Sequence, residues 1–381
     1  MTKVLVIGGG FSGCCAAHLL SKKRGWDVTV VEKLPFLGGG VRTFFKGGHP
    51  YTFGPRHFLS DDIKLFDFLN EYVPMRRIDQ VQQNLTFVGG DDRFYSWPIH
   101  EDDVANMPDK DEIHQELDAR SGNEYVDADH FEDWVIGSVG PTLYNKFVNA
   151  YSKKMWQVES NTELDFLEEG WEDFLGDEKR LKRMKLATGS KAFYTHRISS
   201  FPLDINGYND YFDIATRDCT VCLGVTIEEF DMKRRSVKID GEWSKYDVVV
   251  STLAPDLLLN NAFGPLRWVG RDFLNIILPV PQVFPNDVYF LYYAPEDTPY
   301  LRIVEYKQFY RYESPSTLLG IEFPSDKNKL YPYPTVQDVQ HAQKYFDALP
   351  ENVFSIGRAG TYRYMDIDDI IAQCLKLSDN M

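Results

Sequence analysis

The chain opens with a pattern that leaves little choice of fold. Lys3 to Ile7 is a short apolar run that passes directly into Gly8-Gly9-Gly10-Phe11-Ser12-Gly13 and then into an Ala- and Leu-rich stretch. Nineteen residues beyond Gly13, Glu32 closes a second apolar run that begins at Val28. Strand, glycines, helix, strand and acid in this order describe a βαβ unit that cradles a dinucleotide. Gly8 permits the tight turn, Gly10 lets a pyrophosphate reach the backbone, Gly13 allows the helix to pack on the strand, and Glu32 can accept ribose hydroxyls. Phe11 and Ser12 start the helix, whose N-terminal N–H groups and partial positive charge suit phosphates.

The next segment favours FAD over NAD. Lys33-Leu34-Pro35-Phe36-Leu37-Gly38-Gly39-Gly40-Val41-Arg42 carries a second glycine cluster, where backbone can pass close to a cofactor. Flavoproteins with an extended FAD place such a cluster here, whereas nicotinamide dehydrogenases continue into another βα unit. Lys33, Gly39 and Gly40 join the candidate cofactor residues on this ground.

A formal net charge of −16 argues against a nucleic-acid binder, which needs a basic face, and gives no reason to expect a membrane surface as partner. It also requires that any anionic substrate be met by locally placed arginines. Cys14, Cys15, Cys219, Cys222 and Cys374 show no zinc spacing, so no metal site is expected. Cys14 and Cys15 read as packing residues. Cys219-Thr-Val-Cys222 has redox spacing but precedes an apolar run rather than a helix, which makes a dithiol role a minor alternative. With no signal peptide before the first strand and no long apolar run, the expectation is a reduced, cytoplasmic protein.

The expected fold is α/β: a discontinuous Rossmann-like FAD-binding domain with an inserted helical domain and an antiparallel β-sheet domain. Residues 1–75 supply the first part of the FAD-binding domain. Residues 76–185 read as mainly helical, followed by a mobile substrate loop, and residues 186–255 as a loop that returns to the FAD-binding domain. Residues 256–340 read as an antiparallel substrate domain, and 341–381 as the last FAD-binding part. There Asn352–Ile356 leads through Gly357-Arg358 to a helix starting near Asp366.

Several fragments then resemble one family in order and spacing. Gly357-Arg358-Ala359-Gly360-Thr361-Tyr362-Arg363-Tyr364-Met365-Asp366-Ile367-Asp368 is similar to the GR-x-GTYRY-x-D-M-D segment of the UDP-galactopyranose mutases. Phe53-Gly54-Pro55-Arg56-His57-Phe58 resembles that family's YGPHIF. Tyr144 to Trp156 resembles its Y-x-x-F-x-x-x-Y-x-x-K-x-W helix, and Pro299 to Glu305 its PYTRI-x-E strand. The resemblance implies a flavin-dependent isomerase that interconverts the pyranose and furanose forms of a nucleotide sugar, with no net redox change. In that chemistry reduced FAD attacks the anomeric carbon through N5 and the nucleoside diphosphate leaves and returns. It further implies NAD(P)H or a reductase as electron donor, a homodimer as the candidate assembly, and a place in galactofuranose and polysaccharide biosynthesis.

Residue roles follow from the matched positions. Arg302 is the candidate diphosphate clamp. Tyr151, Tyr364 and Tyr300 are candidates for phosphate oxygens, Phe147 for stacking on the base, and Trp156 for the edge of the sugar site. Arg358, Asp366 and Ile367 stand near the flavin, with a helix N-terminus to stabilise its reduced charge. Departures are as informative. The family's flavin-facing His corresponds to Arg56, with His57 following, and either can face the ring. His100 replaces an Asn, and Phe323 replaces a Tyr, which would remove a hydroxyl from the phosphate site. The family's RFNYDD-type loop corresponds to Arg183–Lys191, with no Arg–Phe pair; Lys185, Arg183 and Lys191 are candidate substitutes, and the altered loop opens GDP- or dTDP-linked sugars as substrates. The alternative activity is an FAD-dependent oxidase or desaturase of the amine-oxidase type, which shares the N-terminal signature.

Overall fold

A computed structural model describes residues 1–78, 83–120, 128, 130–164, 185–189, 191 and 198–381. Along Thr2–Ile7 the side chains alternate, so Val4 and Val6 enter one buried cluster while Leu5 and Ile7 enter another. Both faces of this strand are therefore covered, which explains its unbroken apolar sequence. It lies at the centre of a five-stranded parallel sheet. The order is Thr220–Leu223, Trp26–Glu32, Thr2–Ile7, Val248–Ser251, Val353–Ser355, so the sheet is drawn from three separated stretches of chain. Helices Phe11–Ser21, Asn209–Thr216 and Ile367–Asp379 pack on one side. On the other lies an antiparallel meander of Glu229–Asp231, Ser236–Ile239 and Glu242–Lys245.

The second layer system is a seven-stranded sheet in the order Tyr331–Pro332, Trp268–Leu278, Thr317–Ser325, Arg302–Glu305, Val288–Tyr293, Gln83–Val88, Arg93–Trp97. All pairs are antiparallel except Val288–Tyr293 with Gln83–Val88. Helices from Glu101 to Trp156 sit against one end of it, where Val88 and Tyr95 share a core with Trp134, Val135, Leu143 and Phe147. Residues 76–185, read from sequence as mainly helical, thus include the paired strands Gln83–Val88 and Arg93–Trp97, the first of which also pairs with a strand some two hundred residues away. No described helix is long and apolar enough to cross a membrane. Cys222 lies in an edge strand of the parallel sheet and Cys219 precedes it, with no helix following, so the arrangement gives no support to a dithiol centre.

Candidate functional site

Where the parallel sheet, the antiparallel sheet and the helical layer meet, they enclose a cavity of about 490 Å³. Its first end is built by the glycine loop. A Cβ at Gly13 would lie 1.8 Å from the Gly8 carbonyl oxygen, so helix and strand can approach only with glycine there. Gly8 has φ +97° and abuts Thr252. At Gly10 an added Cβ would meet nothing within 4 Å, and what lies beside it is the cavity. The loop is held in shape by Glu32, which accepts the Gly9 N–H at 2.6 Å and the Leu34 N–H at 2.8 Å. Each carboxylate oxygen retains a lone pair. Gly40 lines the same end, with the Arg56 Nε donating to its carbonyl at 3.0 Å. Beside it stands the start of the helix Ile367–Asp379, with Asp366 as N-cap in a reciprocal capping box with Asp369. Two helix N-termini thus border one space, favourable ground for anionic groups.

The floor is a cross-strand row of the antiparallel sheet. Thr86 pairs with Tyr292, Tyr292 with Arg302, and Arg302 with Glu322, so these four share one face. Arg302 forms an ion pair with the buried Glu322 (Nε–Oε1, 2.8 Å) and lies over the Phe290 ring. Burial works to discharge Arg302, but Glu322 and nearby tyrosines outweigh it and hold the guanidinium firmly charged. Gly54 fits against this pair: a Cβ there would come within 3.0 Å of Glu322 Oε1 and 3.2 Å of Arg302 Nη2.

Arginines converge on this cavity in a chain whose net charge is −16. Besides Arg56 and Arg302, Arg271 lies over Tyr331 at 4.7 Å, and Arg358 lies over Tyr331 and Tyr364 at 5.1 and 4.5 Å. Arg358 also donates to the Met365 carbonyl at 2.7 Å, which fixes it beside Asp366. Burial and the neighbouring Arg358 both push Arg56 down from the usual guanidinium range. For Tyr331 burial works upward, but Arg358, Arg271 and Arg302 more than offset it and bring the phenol to about 8. The acids lining the cavity among the described residues are Glu322 and Asp366. Such an imbalance suits a multiply charged anion.

The wall comes from a wide i→i+5 turn over Asn145–Asn149 and the helix Ala150–Trp156 that follows it. The extra residue in that turn is a device frequent at functional sites, and here it accompanies Phe147 and Val148 lining the cavity. Tyr151 meets Tyr292 edge-on at 5.8 Å, and Trp156 meets Tyr331 at 6.4 Å.

Most of the sequence-predicted residues come together here: Gly10, Phe11, Ser12, Gly40, Arg56 and His57, then Phe147, Tyr151, Trp156 and Arg302, and finally Arg358, Tyr364, Asp366 and Ile367. His57 stacks on Phe309 at 5.8 Å, while Arg56 is tied to Gly40 and Phe53, so both of the open candidates border the cavity. Gly8, Gly13, Glu32 and Gly39 support the loops from behind. Lys33 is exposed and does not line the cavity.

Two expectations need correction. Phe323 does not stand in the phosphate site, because adjacent strand residues point to opposite faces. Glu322 turns to the cavity, and Phe323 packs against Tyr300 on the far side, which removes Tyr300 as well. Lys185 does not reach the cavity either. Ala187 is tied to the Ile99 carbonyl and the Glu101 N–H, so Lys185 lies over Trp134, and Lys191 pairs with Asp103. Arg183 falls outside the described residues. Sequence reasoning missed Arg271, Tyr292, Tyr331 and Thr86. The Thr86 and Ser152 hydroxyls are buried at the cavity without a hydrogen-bond partner among the described residues. The strand alternation that carries Thr86 was the one signal available for it.

Comparisons with known proteins agree with this geometry. The UDP-galactopyranose mutase family model matches residues 146–364, and a model of NAD(P)-binding Rossmann-like domains matches residues 6–72. The dTDP-fucopyranose mutase of Escherichia coli is 26% identical over 396 residues, covering 99% of this chain and 97% of that protein. A probable UDP-galactopyranose mutase of Klebsiella pneumoniae is 24% identical over 391 residues, covering 99% and 94%. A solved structure of reduced UDP-galactopyranose mutase superposes with a TM-score of 0.78 at 17% identity, over 100% of this chain and 93% of that one, a likeness of fold.

Proposed function

Because the chain belongs to the UDP-galactopyranose mutase family, we propose that it interconverts the pyranose and furanose forms of a nucleoside-diphosphate sugar with reduced FAD as its cofactor. The observation that carries this reading is one cavity lined both by the glycine loops and by an arginine cluster around Tyr331. The residues fit FAD. Gly10 leaves the cradle open where a Cβ would otherwise stand, and the two helix N-termini favour the pyrophosphate and a negatively charged reduced ring. Gly10, Phe11, Ser12 and Gly40 would hold the dinucleotide, with Glu32 on the ribose and Arg56, His57, Arg358 and Ile367 around the ring.

Bound and reduced, FAD supplies an electron-rich ring nitrogen, N5, as the nucleophile for the anomeric carbon. The protein's share is electrostatic and geometric. Arg302 and Arg271 hold the diphosphate as its bond to the sugar breaks and until it re-forms, and a buried, preorganised guanidinium does so without reorganisation cost. Tyr364 and Tyr331 offer phenol donors to the same oxygens while protonated. Tyr151 and Trp156 wall the sugar from water, and Phe147 offers its ring to the base. Thr86, two strands from Arg302 and so roughly 10 Å away, lies at the nucleoside end of such a ligand.

UDP-galactopyranose is the first substrate to test. The departure at Arg183–Lys191 keeps dTDP- and GDP-sugars beside it, and the Escherichia coli relative bears the name of a dTDP-sugar enzyme. NAD(P)H or a reductase as electron source, a cytoplasmic location and a homodimer belong to the same reading. Against the oxidase or desaturase alternative stands the mutase family match, which spans residues 146–364, beyond the nucleotide-binding segment at residues 6–72. The test is anaerobic incubation of dithionite-reduced protein with UDP-, dTDP- and GDP-sugars, with products separated by chromatography. Furanose should form from one pyranose and only with reduced protein. A reduced, flavin-loaded protein that converts none of them overturns the reading.

A further inference from the structure

Lys154 lies on the helix that carries four cavity-wall residues, Tyr151, Ser152, Met155 and Trp156, yet it does not itself line the cavity. Its Nζ donates to the carbonyl oxygens of Tyr293, Pro295 and Thr298, each at 2.9 Å. An ammonium has three donors and no acceptor, so these bonds use it in full. The first acceptor ends strand Val288–Tyr293, and the other two lie in the loop that joins it to strand Arg302–Glu305. Tyr292, next to the first acceptor, and Arg302, which follows the loop, are neighbours in the cross-strand row on the cavity floor. One charged group therefore ties the wall helix to the loop between two floor strands. Carbonyl dipoles accept all three hydrogen bonds, with the Asp297 carboxylate of the same loop adding a longer-range attraction. The link is directional from three sides, whereas an ion pair would constrain only a separation.

We propose that Lys154 is a positioning residue of the nucleotide-sugar site: its three-carbonyl clasp sets the spacing between Tyr151 and Trp156 on the wall and Tyr292 and Arg302 on the floor. The inference rests on the mutase reading above. Without the clasp the helix is still seated by its apolar contacts, but its register against the loop is loosened. A shift of a fraction of an ångström then falls on the groups that grip the diphosphate and border the sugar.

The experiment compares Lys154→Met, Lys154→Gln and Lys154→Arg with wild type, using the neighbouring Lys153→Met as a control, all as flavin-loaded full-length protein. UDP affinity is read from tryptophan fluorescence, and KM and kcat from the anaerobic assay. Lys154→Met should retain flavin and raise both the UDP Kd and KM about tenfold, equivalent to about 1.4 kcal/mol, with kcat nearly unchanged. Lys154→Arg, which keeps a charged multiple donor, should recover most of that loss, and Lys153→Met should behave as wild type. If Lys154→Met fails to fold, the Lys154→Gln and Lys154→Arg pair carries the same comparison. Wild-type UDP affinity and KM in Lys154→Met or Lys154→Gln overturn the proposal, as does a fall in flavin content and kcat with no rescue by Arg. A wild-type protein that holds flavin but binds no nucleoside diphosphate fails the mutase reading itself, and the positioning role with it.

Discussion

Replacing Arg302 by Ala removes the charge at the centre of the cavity floor. Two effects combine. A charge-assisted hydrogen bond to a phosphate oxygen contributes about 1.5–3 kcal/mol, or roughly 10- to 150-fold in kcat/KM. The second effect comes from Glu322, which pairs with Arg302 at 2.8 Å and is buried. In the Ala variant this carboxylate would face the proposed diphosphate site without its counter-ion and weaken binding there. The single variant should therefore fall at or beyond the upper part of that range. Arg302→Ala combined with Glu322→Gln should recover several-fold, a coupling of the size expected for contacting residues, about 0.5–3 kcal/mol. Initial rates with dithionite-reduced protein, substrate and product being resolved chromatographically, give kcat/KM for wild type, both singles and the double. An Arg302→Ala enzyme within about twofold of wild type removes Arg302 from the site. A double variant no better than the single refutes the contribution assigned to Glu322.

Other outcomes follow from the same geometry. Arg358, Arg271 and Arg302 bring the Tyr331 phenol down to about 8 against the effect of burial, so above that pH a phenolate would place negative charge among the arginines assigned to the diphosphate. The UDP Kd should be flat below that pH and rise above it, and Tyr331→Phe should flatten the rise; an unchanged slope in the Phe variant contradicts the assignment. Phe323→Tyr, which restores the family residue, should leave kcat/KM unaltered because the ring faces Tyr300 on the far side of the sheet; a gain of several-fold would mean that the hydroxyl reaches the site after all. Gly13→Ala drives a Cβ into the Gly8 carbonyl. Thermal melting and flavin absorbance should show a loss of at least about 3 kcal/mol, the upper end of ordinary overpacking, and a protein without its yellow colour, whereas full flavin retention would sink the close-packing account.

The chain alone determined whatever depends on near neighbours in sequence. The glycine loop between Ile7 and Phe11, Glu32 after the second strand, the aromatic helix through Phe147, Tyr151 and Trp156, and the turn at Gly357-Arg358 before Asp366 are local patterns whose spacing states their geometry. Phe323 shows where that limit lies. One step along a strand exchanges the cavity for the opposite face, and the phase of that alternation is set by pairing with Arg302 and Asp272 in other parts of the chain. Thr86, Tyr292, Arg302 and Glu322 likewise become one row only when four strands, the first some two hundred residues from the other three, fall into register. Arg271 and Tyr331, sixty residues apart, meet because the antiparallel sheet brings their strands side by side. Which charges surround the substrate was therefore decided by the tertiary structure, since electrostatic grip depends on distances through space that no run of neighbouring residues can specify.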